Sequence, residues 1–138
     1  MLSYFRLKLI TAVFLASSLF ASPVEAQSLK IQDILRNTPS SRVKFSPYTV
    51  GVVIRGGGDI VYKLNLQKGQ NLEVNVDSTG LRAAVFVFDK SGKELKVLTD
   101  EPDRNNFNYK VPDSGDYYIY CYSGGPAAYT YSLTVVAQ

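Results

Sequence analysis

The stretch 59–77, DIVYKLNLQKGQNLEVNVD, decides the fold. Ile60, Tyr62, Leu64 and Leu66 alternate with Val61, Lys63 and Asn65. After a short break, Leu72, Val74 and Val76 alternate with Glu73, Asn75 and Asp77. Successive side chains of an extended strand point to opposite faces, so a period of two turns one face of each segment toward a core and the other toward water. Gln67 to Gln70 between them reads as a tight turn, with Gly69 providing the backbone freedom it needs. The reading is two half-buried strands on either side of a turn.

The same period extends outward in both directions. Upstream, Tyr48 to Ile54 is β-branched and apolar and runs into Gly56-Gly57-Gly58, which reads as a flexible turn. Downstream, Ala83 to Phe88 is apolar on both sides, as a central strand covered on both faces would be. Asp89-Lys90-Ser91-Gly92 then reads as a turn. Glu94 to Leu98, Phe107 to Val111, Asp116 to Ser123 and Ala128 to Val136 complete the set, the last three separated by Pro112-Asp113-Ser114-Gly115 and Gly124-Gly125-Pro126. About eight short strands at roughly 8–12-residue spacing predict an all-β antiparallel sandwich. Ten Tyr and seven Phe without Trp suit such sheets. Several strands alternate cleanly, which predicts two packed sheets, each with one wet face.

Residues 1–26 read differently. Arg6 and Lys8 precede an uncharged, largely apolar run from Leu9 to Ala21, and small or medium residues at Val24 and Ala26 frame a cleavage point after Ala26. That order is a secretory signal peptide. The apolar run covers only ~20 Å as a helix against a hydrocarbon core of ~30 Å, so it is too short for an anchor. The expected destination is secreted or periplasmic. Residues 27–41 form a leader in which Ser28 to Asn37 spaces Ile31, Ile34 and Leu35 as a short helix, with Ser28 as a cap and Pro39 as a stop. Residues 42–138 are the single sandwich domain.

Composition narrows the chemistry. The formal charge of +3 over the whole sequence is close to balance, which argues against nucleic acid as a partner. The sequence has no His, which removes the Ser/His and Cys/His nucleophile arrangements and all His-based metal sites. Cys121 is the single cysteine, so no internal disulfide forms and stability must come from the core. Lying inward on its strand, Cys121 is expected to behave as a small buried hydrophobe. The expectation is a protein that is no enzyme and uses no cofactor. Asp100, Glu101, Asp103, Asn105 and Asn106 gather oxygen atoms in one loop, but their spacing matches no calcium loop.

Two family resemblances follow from the turns and strands. Gly58-Asp59 before Tyr62 and Leu64, Lys68-Gly69-Gln70 before Leu72 and Val74, and Phe88-Asp89 with Gly92 resemble the bacterial pre-peptidase C-terminal domain. Pro112, Gly115, Tyr117 and Ile119, and then Tyr131, Leu133 and Val135, continue that resemblance. It implies a jelly-roll-like β-sandwich over about residues 43–137, of a type usually found as an accessory module beside secreted enzymes. Ser114-Gly115-Asp116-Tyr117 also resembles the Ser-Gly-x-Tyr loop of periplasmic inhibitors of goose-type and invertebrate-type lysozymes. That similarity implies a loop made of Ser114, Gly115 and Tyr117 that enters a lysozyme cleft.

The candidate binding residues read from the strand pattern lie elsewhere. Tyr118, Tyr120 and Tyr122 share one strand face, opposite Tyr117, Ile119 and Cys121. If the Tyr117 face is the core, these three rings line an outer sheet surface able to stack on sugars or anchor a protein. Cross-strand packing under a neighbouring segment is the competing reading of the same pattern. The functional expectation is a non-catalytic envelope binding module for cell-wall carbohydrate or an envelope protein, with a lysozyme inhibitor as the alternative.

Overall fold

The structure, a computed structural model, describes residues 30–45, 51–79, 84–122 and 130–138. The signal peptide read over 1–26, Ser28, Tyr48 and Ala128 lie outside the described residues. Within them the chain forms one helix, α1 (Ile31–Asn37), and nine strands: β1 (Ser40–Arg42), β2 (Gly51–Gly57), β3 (Ile60–Leu66), β4 (Asn71–Thr79), β5 (Ala84–Phe88), β6 (Glu94–Leu98), β7 (Asn106–Lys110), β8 (Gly115–Tyr122) and β9 (Thr130–Ala137). No described helix is long and apolar enough to cross a membrane.

The strands build two sheets, as the alternation predicts. One has five strands in the order β1-β3-β8-β5-β6, the other four in the order β2-β9-β4-β7. The turn at 67–70 therefore carries the chain from one sheet to the other. Leu64 and Leu66, with Val85, Val87 and Ile119 of the same sheet, face Leu72, Val74, Val76, Leu133 and Val135 of the other across the shared core. Each such side chain stabilises the fold by roughly 1.5–3 kcal/mol through burial.

Three local readings are corrected. β1 adds a strand and pairs in parallel with β3, Ser41 opposite Tyr62, so the first sheet is mixed. Gly56 and Gly57 belong to β2, and only Gly58 takes the positive φ of a turn. Helix α1 starts at Ile31 with Lys30 at its cap position and no side-chain cap bond. A short helix without a cap depends on packing for its stability.

That packing is the second core. Ile31 is buried against Val61, Phe88 and Tyr120 on the outer face of the five-stranded sheet, with Ile34, Leu35, Phe86 and Tyr118 around it. β5 is thus apolar on both sides because it is covered on both sides. The turn after β5 closes on Asp89, whose Oδ1 accepts from the Ser91 N–H at 2.9 Å and the Lys93 N–H at 2.9 Å. Gly92 there has φ +89, and a Cβ on it would stand 2.8 Å from Ile31 Cγ2. Glycine meets both demands at once.

Candidate functional site

β8 supplies both candidate surfaces, one on its outer face and one at its start. Tyr117, Ile119 and Cys121 do face the core, and all three are buried. Burial pushes the Cys121 thiol up to about 12. Tyr118, Tyr120 and Tyr122 accordingly share the outer face, but they form no open row of rings. Helix α1 lies over that face, Tyr120 is 8% exposed and Tyr118 is half-buried. Tyr122 alone is well exposed, at 42%. Tyr120 is held between Phe86 at 5.7 Å and Tyr122 at 6.0 Å, centroid to centroid. Burial, with the nearby Asp59 carboxylate, pushes its hydroxyl up to about 12. The helical spacing of Ile31, Ile34 and Leu35 carried the signal for this cover, since an apolar helix face must be buried on something.

The second surface is built at the end of the sandwich where the loops 67–70 and 111–114 meet. The two loops are hydrogen-bonded to each other: the Gly69 N–H donates to the Val111 carbonyl at 2.8 Å, and the Val111 N–H to the Gln70 carbonyl at 2.8 Å. Exposed Ser114 joins the same clamp. Its Oγ accepts the Lys68 N–H at 2.8 Å and donates to Gln67 Oε1 at 3.4 Å. Tyr117 anchors the loop from below, its hydroxyl donating to the Asp113 carbonyl at 2.7 Å. Burial raises its pKa above the usual phenol range. Its ring leans on Tyr109 at 6.3 Å, which stacks on Phe107 at 5.7 Å. Over Gly115 the stem of Lys90 crosses, with Cδ 3.0 Å from where a Cβ would sit.

Asp116, the variable residue of the four, is gripped from β1. Both terminal nitrogens of Arg42 donate to it, to Oδ1 and Oδ2 at 3.0 Å each, and Asn65 Nδ2 adds a bond to Oδ1 at 3.4 Å. The Arg42 hydrogen bonds hold the Asp116 carboxyl below its ordinary range. Two parallel charge-assisted bonds fix orientation as well as distance. Arg42 is the residue that sequence reasoning missed. Asp116 lies 74 positions away, and only the parallel pairing of β1 with β3 brings them together.

The opposite end carries less chemistry. A shallow hollow there is lined by Arg55, Gly56, Thr130, Tyr131 and Ser132. The Tyr131 hydroxyl is already bonded to that of Tyr62, across the two sheets, at 2.9 Å. The acidic loop folds on itself, with the Arg104 N–H donating to the Glu101 carbonyl at 2.9 Å and the Thr99 N–H to the Arg104 carbonyl at 3.0 Å. Among the described residues no group of three His, Cys, Asp or Glu is placed to hold a metal ion.

Two sheets with this topology define an all-β sandwich. The sequence model of the bacterial pre-peptidase C-terminal domain matches residues 60–123, from the start of β3 to just past β8. In fold the chain is similar to PliG of Aeromonas hydrophila, a periplasmic inhibitor of g-type lysozyme, with a TM-score of 0.59 at 20% identity over 73% of this chain and 97% of that one. It is also similar to the Salmonella Typhimurium PliG, with a TM-score of 0.50 at 19% identity over 72% of this chain and 98% of that one. A mutant of the Escherichia coli PliG gives a TM-score of 0.50 at 15% identity over 73% and 99%. At these identities the likeness is one of fold. No curated protein matches the sequence.

Proposed function

We propose that this protein works outside the cytoplasm as a non-catalytic binding protein, and that it inhibits a goose-type lysozyme by seating its Ser114–Tyr117 loop in the enzyme's cleft. The observation that carries the reading is the rigidity of that loop. Tyr117 is locked from below, Ser114 is tied to a second loop 46 positions away, and Asp116 is held by a bidentate arginine. A loop ordered before binding loses little conformational entropy on entering a cleft. The fold neighbours that are periplasmic inhibitors of g-type lysozyme support the same reading, as does the Ser-Gly-x-Tyr pattern. The signal-like residues 1–26 support export. The wall-carbohydrate reading is weaker, because the row of rings it relied on is largely buried under α1.

Purified protein should block lysis of bacterial walls by a goose-type lysozyme. Ser114→Ala should weaken the block by roughly 1–3 kcal/mol, or about five- to 150-fold, if the hydroxyl bonds to the enzyme. The same change removes the acceptor for the Lys68 N–H, so about 0.5–1.5 kcal/mol of folding stability should go with it. Measuring melting temperature alongside inhibition separates the two effects. Absence of inhibition of goose-, invertebrate- and chicken-type lysozymes at roughly micromolar protein, a concentration that would detect even a modest interface, overturns the proposal. Retention on wall material that is lost in Tyr122→Ala would favour the carbohydrate reading instead.

A further inference from the structure

Charge is distributed unevenly along the strand axis. At the Ser114 end, Lys44, Lys63, Lys68, Lys90, Lys93 and Lys110 surround the loop, and all but the half-buried Lys63 are exposed. Against them stand Glu73, Asp89, Glu94 and Asp113, since Arg42 cancels Asp116. At the far end the balance reverses. There Asp59, Asp77, Asp100, Glu101 and Asp103 outnumber Arg55 and Arg104, and Arg104 already lies 3.8 Å from Glu101. A chain near neutrality overall is therefore positive at one end and negative at the other among its described residues.

From this we infer that the Ser114 end is a positively charged docking end for a protein cleft lined by carboxylates, with Arg42 acting as a positioning residue that neutralises and orients Asp116. The inference rests on the inhibitor reading and specifies the partner's chemistry. Glycoside-hydrolysing clefts carry paired Asp or Glu residues beside the scissile bond, so carboxyl groups are what an occluding loop meets inside the cleft. An uncancelled Asp116 in the middle of the loop would oppose entry. Arg42 removes that repulsion and fixes the carboxylate against the side of the sandwich. The lysines then raise the rate of encounter through the long-range field.

The test is the association rate with a goose-type lysozyme, measured at low and at physiological salt. Lys68→Glu should slow association by about tenfold at low salt and flatten its salt dependence. Lys96→Glu, an identical charge change at mid-height on exposed β6, should alter the rate far less. Arg42→Ala should slow association, and Arg42→Ala with Asp116→Asn should recover most of the loss. A merely structural ion pair gives no such recovery. Equal effects of Lys68→Glu and Lys96→Glu, or no recovery in the double variant, overturn the inference while leaving the inhibitor reading intact. A wild-type protein that binds no lysozyme overturns both. Binding to anionic phospholipid vesicles in place of lysozyme would assign the basic end to a membrane surface and also overturn it.

Discussion

At the scale of single residues, close approach decides more than composition. Gly56 sits within β2, one residue before its end, and glycine normally weakens a strand. A Cβ at this position would lie 2.7 Å from Tyr131 Oη and 3.0 Å from its Cζ. The glycine therefore makes room for the Tyr62–Tyr131 hydroxyl pair that joins the two sheets. Gly56→Ala should destabilise the fold by about 1–3 kcal/mol through overpacking. In a Tyr131→Phe background the hydroxyl is gone and the cost should shrink, giving a coupling of about 1 kcal/mol in a denaturant double-mutant cycle. Simple additivity would mean that the ring hydroxyl is not what Gly56 accommodates. Nothing in Gly56-Gly57-Gly58 marks its first glycine as a packing residue, because its neighbour is 75 positions on and in another strand.

At the scale of elements, α1 is the piece whose role changes most between pattern and structure. Its apolar spacing at Ile31, Ile34 and Leu35 is legible, yet seven uncapped residues would not hold a helix in water. It exists because Ile31 enters a site formed by Val61, Phe88 and Tyr120, against a glycine turn that leaves space for it. Ile31→Ala should cost about 2–4 kcal/mol and release the helix from the sheet. The sequence has no Trp, so tyrosine fluorescence reports the event directly. Acrylamide quenching should rise as Tyr120 becomes accessible. A stability change below about 0.5 kcal/mol, typical of an uninvolved surface site, would show that α1 does not cover this face.

At the scale of the whole molecule, the protein should be limited by alkali. Tyr120 and Cys121 are both pushed up to about 12, and Tyr62 and Tyr131 are also raised, in each case chiefly by burial. A group whose folded pKa is raised favours the fold while it stays protonated. The contribution is complete below the unfolded values, about 8.5 for Cys and 10 for Tyr, and is lost as pH rises through the folded ones. The melting temperature should stay level through neutral pH and drop between about pH 10 and 12, with the absorbance change of the buried tyrosines appearing in the same transition. A melting temperature unchanged across that window would contradict the burial of these hydroxyls.

The alternation of apolar and polar residues is legible along the chain, and it settles which face of a half-buried strand looks inward. Cys121 with Tyr117 and Ile119, or Leu72 with Val74 and Val76, are assigned correctly because side-chain alternation is a local property of extended backbone. The glycine turn at Gly92 is legible for the same reason. What covers an outward face is not local. The helix over Tyr120, the Arg42 grip on Asp116 and the Ser114 bond to the Lys68 N–H each join residues far apart in the chain. Those meetings depend on the order in which strands pair. That order follows from how two sheets and a helix bury their apolar faces together, a property of the assembled chain and not of any one stretch of it.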